Sequence, residues 1–166
     1  LLQRLQLPFV SHSPSVNEQP LPNESPQELV RRLAIAKACA LRHQFLQHLI
    51  IGSDQVAELD GQIIGKPGSR AKAIAQLQAF SGRSLTFHTG LCLLDSASQS
   101  LQVDSVPFTV HFRQLEQAQI ERYVDLEMPL DCAGSFKSEG LGISLFRATE
   151  GADSTSLVGL PLIRLC

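Results

Sequence analysis

The sequence has no run of apolar residues approaching the length that would span a membrane, and no secretory signal pattern at its start. It has no Cys-x-x-Cys pair: Cys39, Cys92, Cys132 and Cys166 are widely spread, which argues against a zinc site and for reduced thiols in a cytoplasmic protein. Charge is sparse, 18% of residues with a formal net charge of −2, so no basic surface suited to a nucleic acid polymer is expected. No internal repeat divides the chain. What remains is an ordinary globular composition, 43% hydrophobic over 166 residues, enough for one domain with a real core.

The most informative stretch is Leu49 to Pro67. Leu49-Ile50-Ile51 reads as a short buried strand that stops at Gly52-Ser53-Asp54, leaving a carboxylate where open α/β sheets place their ligands. Asp60-Gly61 between two strand-like runs is a hairpin signal. The returning strand closes on Gly65-Lys66-Pro67, so the hairpin is expected to bring Lys66 back toward the end of the sheet that carries Asp54. An acid and a lysine arranged in this way suit phosphate chemistry; a surface acid and a surface lysine beside a turn are the bland alternative.

Upstream, residues 11–24 are rich in Ser, Pro and Asn and read as loop, with Glu18 inside it. Ser25-Pro26-Gln27-Glu28 is a capping box, and Val30, Ala34, Lys37 and Leu41 then fall on one helical stripe. Lys37 interrupts that apolar face, either as a lysine whose stem lies along it or as a charge aimed into a cleft. Downstream, Ser69 caps a helix that ends at Ser81-Gly82, two strands follow around a turn at 96–100, and Pro107 in the second implies an edge or a bulge. A short helix ends before Pro129, a glycine-rich loop from Cys132 to Gly142 carries Lys137 and Glu139, and residues 143–147 read as a last strand. This order favours an α/β or α+β domain with a mixed sheet. Leu1–Leu5 resembles the middle of an amphipathic helix, and both ends of the chain read as cut.

Several segments resemble the Maf family of nucleoside triphosphate pyrophosphatases. Gly52-Ser53-Asp54-Gln55-Val56 followed by a hairpin and Gly65-Lys66-Pro67 is similar to the family's central motif, and Arg32-Leu33-Ala34-Ile35-Ala36-Lys37-Ala38 to its Leu-Ala-x-x-Lys-Ala helix. Ser81-Gly82, Thr89-Gly90, Tyr123-Val124, Ala133-Gly134 and Val158-Gly159-Leu160-Pro161-Leu162 match in kind and order. Gln55 in place of a usual Thr or Val, together with Gly134-Ser135-Phe136-Lys137-Ser138-Glu139-Gly140, resembles the branch that hydrolyses 7-methyl-GTP to 7-methyl-GMP and diphosphate.

The resemblance implies a Maf/ITPase-like mixed twisted sheet flanked by helices, two lobes around a cleft, and one domain over residues 1–166. It also implies a missing first strand, with the Ser-x-Ser-Pro-x-Arg loop after it. By this resemblance Asp54 is the proton acceptor, Gln55 and Glu139 set base preference, and Lys37 and Lys66 face the triphosphate. Asp54 and Glu18 would hold a divalent cation, Mg²⁺ or Mn²⁺, although Asn17 stands where an aspartate is usual. The implied partner is a modified nucleoside triphosphate, with no nucleic acid polymer and no membrane; a homodimer stays open. A dTTP or UTP pyrophosphatase of the same family, and a catalytically impaired nucleotide-binding regulator of septum formation, are the alternatives.

Overall fold

The computed structural model describes residues 1–166. In chain order the main elements are α1 (Pro26–Ala40), β1 (Leu49–Leu59), β2 (Gln62–Ile64), α2 (Arg70–Phe80), β3 (Ser84–Asp95), β4 (Ser100–Phe112), α3 (Gln117–Glu127), β5 (Phe146–Glu150) and α4 (Leu162–Leu165), with short 3₁₀ turns between them. The strands form one sheet in the order β2-β1-β3-β4-β5. The chain is thus α/β in content, as expected.

Local chemistry accounts for the element ends. Ser25 and Glu28 make the full capping box at the start of α1. Ser69 accepts the Lys72 amide at the start of α2. Asp60 and Gly61 both take positive φ, 51° and 80°, which makes the tight turn joining β1 to β2. The register pairs Ala57 with Ile64 and Leu59 with Gln62.

Three expectations are corrected. The first strand does not stop at Gly52 but runs on to Leu59, so Asp54 lies within β1 rather than beyond its end. Gly52 is there for close approach: a Cβ on it would lie 2.1 Å from the Ala34 carbonyl oxygen. Second, the last strand is Phe146–Glu150, because residues 141–145 coil into a 3₁₀ turn whose Leu145 is buried; pairing with β4 begins only at Phe146. Third, the sheet is antiparallel where a mixed one was expected. The β1–β2 and β4–β5 ladders are antiparallel. The Ser53–Gly90 and His48–Ser96 bonds run in the same opposed sense from β1 to β3, as do Ser84–His111 and Thr86–Thr109 from β3 to β4. Pro107 sits in β4, an interior strand, at a position that β5 does not reach, since β5 pairs with β4 only from Thr109 onward.

The chain divides into two compact units. The first comprises 1–55, 88–107 and 153–166. Its core packs Ala34 and Ala38 of α1 on Ile50, Cys92 and Leu94 of the sheet, with Phe45 and Leu41 alongside. The second comprises 56–87 and 108–152. Its core is a phenylalanine cluster: Phe136 meets Phe146 at 4.8 Å, Phe87 at 5.3 Å and Phe112 at 5.9 Å between ring centres, all edge to face. No helix is long and apolar enough to cross a membrane.

Candidate active site

The first unit assembles the charged group. Two glycines let α1 lie directly on the sheet: Gly52 on β1 sits under Ala34 and Ala38, and Gly90 on β3 sits under Val30. Lys37 shares the helix face of Ala34 and Ala38, so its side chain comes down on the β1 face that carries Ile50, Gly52 and Asp54. Its ammonium donates to Asp54 Oδ1 at 2.5 Å and pairs with Glu18 Oε1 at 2.8 Å. Burial works against the charge on Lys37, but the bonds to Asp54 and Glu18 outweigh it and hold the pKa above the usual lysine value. Lys37 is therefore a stable cation at neutral pH, bridging two carboxylates. The Asp54 side chain is only 11% exposed, whereas that of Glu18 is 58% exposed.

Strand alternation sends the neighbours of Asp54 to the opposite face. Ser53 Oγ bonds the carbonyl oxygens of Gly90 and Gly159, each at 2.8 Å. The Gln55 amide nitrogen donates to Ser156 O at 2.6 Å and Thr89 Oγ1 at 2.9 Å. Both residues that flank Asp54 are thereby tied to the 154–159 turn. That turn is built on Asp153, which is 2% exposed and accepts from the Thr155 amide, the Thr155 hydroxyl and the Ile163 amide. The Gln55 donors are thus spent on protein partners.

Lys66 and Glu139 belong to the second unit, and both are exposed. The Lys66 turn is fixed by Gln76 of α2, whose amide donates to Gly65 O at 3.1 Å, and by the Gly68 amide bonding Leu130 O at 2.9 Å. Gln76 also accepts from the buried Ser135 hydroxyl, so one side chain joins the lysine turn to the glycine-rich loop. Glu139 lies further along that loop, which is held where the Lys137 ammonium donates to Glu127 O at 2.7 Å and the Lys137 amide to the Tyr123 hydroxyl at 3.0 Å.

The sequence had pointed to Lys37, Asp54 and Glu18 one by one, and the structure brings these three together. It had not pointed to Ser53, Gln76, Arg32 or Asp153. Arg32 carried a detectable signal as a second cation on the Lys37 helix; the other three depend on contacts across long sequence separations.

The chain belongs to the Maf family: the family model for Maf-like proteins matches residues 1–166. Among curated proteins it is similar to the 7-methyl-GTP pyrophosphatase of Pseudomonas aeruginosa, 64% identical over 165 residues that make up 99% of this chain and 86% of that protein. The protein of the same name from Pseudomonas savastanoi pv. phaseolicola is 61% identical over the same shares. That from Alcanivorax borkumensis is 58% identical over 99% of this chain and 84% of its own length.

Proposed function

We propose that this chain is a hydrolase that cleaves the α–β phosphoanhydride bond of 7-methyl-GTP, giving 7-methyl-GMP and diphosphate. The observation that carries the reading is Asp54, fixed within β1 and bonded at 2.5 Å to the Lys37 ammonium, in a chain 64% identical to a protein named for this reaction. In the reaction a water oxygen bonds to the α-phosphorus, the bond to the bridging oxygen breaks, and the diphosphate departs with that oxygen's electrons. Asp54 accepts the proton that the water loses. A bound triphosphate competes for the Lys37 ammonium, and its transfer from carboxylate to phosphate frees the Asp54 oxygen to act as base. Lys66 supplies further positive charge to the phosphates.

A divalent cation fits the residues present. Asp54 and Glu18 already converge on one cationic centre, and both offer the hard oxygen donors that Mg²⁺ or Mn²⁺ prefers. No group of three or more His, Cys, Asp or Glu that could hold a metal ion forms; Mg²⁺ is commonly bound through one or two carboxylates plus substrate phosphates. Such an ion would neutralise charge on the phosphates.

For base choice, Glu139 accepts hydrogen bonds from the guanine N1 and N2 edge and opposes the positive charge of the methylated ring. Gln55 contributes its carbonyl oxygen and the setting of the 154–159 turn. The whole chain acts as one Maf-like domain in the cytoplasm, where its four free cysteines stay reduced.

The test is diphosphate release from 7-methyl-GTP, GTP, dTTP and UTP, with Asp54→Asn beside the parent. The expected result is the highest kcat/KM on 7-methyl-GTP and a loss of at least about 10²-fold in kcat in the variant, with its Tm unchanged. Equal rates on all four nucleotides, or turnover retained by a folded Asp54→Asn protein, would overturn the reading.

A further inference from the structure

Residues 7–21, leading up to the helix α1, adopt no helix or strand, yet Glu18 within them reaches Lys37. A glutamate on so long an irregular segment would lose substantial conformational entropy on being held in one place. Something else has to hold it, and the bonds converge on Arg32. The Arg32 guanidinium donates from Nε to Glu24 Oε1 at 2.6 Å and from Nη2 to Glu24 Oε2 at 2.8 Å, the two-pronged geometry that arginine makes with a carboxylate. Nη2 also donates to the carbonyl oxygen of Gln19, the residue after Glu18, at 3.0 Å. Glu24 takes the Leu21 amide at 2.9 Å, and the Asn17 side chain takes the Gln19 amide at 3.0 Å. The backbone just after Glu18 is thus tied to α1, with Asn17 bracing it locally, and the Glu24 side chain is only 7% exposed.

We propose that Arg32 is a positioning residue for the active site: with Glu24 it latches residues 17–24 to α1, so that the Glu18 carboxylate is presented to Lys37 beside Asp54. Arg32 and Lys37 stand on one rigid helix, so the latch and the ammonium it serves keep a fixed spacing. Arg32 makes its contacts to the loop, and its effect on the reaction passes through Glu18. The catalytic part of this inference rests on the function proposed above; the structural part does not.

Arg32→Gln, Arg32→Lys, Glu18→Ala and the Arg32→Gln/Glu18→Ala double variant separate the possibilities. Amide hydrogen exchange over residues 17–24 reads the latch without reference to activity. Arg32→Gln is expected to lose protection there while α1 keeps its own, and Arg32→Lys to recover little of it, because an ammonium cannot make the forked contact. With 7-methyl-GTP, Arg32→Gln is expected to raise the Mn²⁺ concentration giving half-maximal rate by about tenfold or more. In the Glu18→Ala background the same substitution is expected to change nothing further, since Arg32 acts through the residue already removed. Unchanged exchange in Arg32→Gln, or losses that simply multiply in the double variant, would overturn the proposal. If the parent releases no diphosphate from any nucleotide, the proposed function fails, and the exchange measurement still decides the latch.

Discussion

Gly52→Ala probes the join on which the candidate site depends. A Cβ at this position would lie 2.1 Å from the Ala34 carbonyl oxygen, 2.9 Å from the Ala38 nitrogen and 3.1 Å from the Ala38 Cβ. Carbon and carbonyl oxygen do not normally approach closer than about 3.3 Å, so α1 must lift or slide by roughly 1 Å, and the contact is backbone that no rotamer change can relieve. Overpacking of this kind costs typically about 1–3 kcal/mol. For a chain of this length each kcal/mol lowers Tm by roughly 2–4 °C, giving an expected fall of about 2–12 °C in thermal unfolding. The same shift carries Lys37 away from Asp54, and a 1 Å misplacement can cost about 10²-fold in rate. The distinguishing result is a rate loss measured well below the lowered Tm, where the protein is still folded. An alanine variant with parental Tm and parental turnover would show that α1 does not rest on Gly52, and the account of how Lys37 meets Asp54 would fall with it.

Gln55→Glu replaces one of the two donors facing Ser156 O with an acceptor, the Thr89 hydroxyl remaining; the lost bond should cost about 0.5–1.5 kcal/mol in denaturant unfolding, whereas stability equal to the parent would show that Gln55 does not hold the turn. Glu139→Gln, on an exposed loop, should leave stability alone and narrow the preference for 7-methyl-GTP over GTP; selectivity equal to the parent's would remove it from base choice. The hydrogen bond from Arg32 holds the Glu24 carboxyl down to about 2, below its ordinary 4.5. Its stabilisation is therefore complete above about pH 4.5 and drains away as the pH falls toward 2, so the Tm gap between parent and Glu24→Gln should close over that window; a gap that widens there would contradict the pairing. Glu18→Gln should bind a triphosphate more tightly than the parent when divalent ions are chelated and less tightly when Mn²⁺ is present; calorimetry showing the same sign in both media would refute the charge argument behind it.

How much was legible in the sequence depended on how local each cause is. The capping box at Ser25, the hairpin at Asp60-Gly61 and the stop before Pro129 are set by a few consecutive residues, and each formed where expected. Gly52 was misread because a glycine after an apolar run looks the same whether it ends a strand or receives a helix. A second glycine, Gly90, in another strand was the available clue that one helix crosses both. Lys37 was ambiguous for a similar reason: helical spacing gives the face but not what lies opposite. The Asp153 turn meets Gln55 about a hundred residues away in sequence, and no periodicity reports such a pairing. The Arg32–Glu24 pair spans the boundary between a loop and a helix, where pattern reading stops on one side and starts on the other.

Charge balance gives the arrangement its logic. Around Lys37 one cation faces two carboxylates, and Arg32 is already matched by Glu24, so the cluster alone carries an excess of negative charge. Two like charges about 4 Å apart near a protein surface repel by roughly 4 kcal/mol, which is enough to keep a triphosphate away. Under the proposed function a nucleotide would settle beside Asp54 only with added positive charge, which a divalent ion would supply. This explains why two acids in a phosphate site are not a contradiction. Under the proposed function the two acids would hold Lys37 in place, Asp54 would stay unavailable as base until phosphate drew the ammonium off, and both would offer oxygen donors to a divalent cation. A site built from lysines alone would bind polyphosphate readily and would hold no group able to take the proton from water.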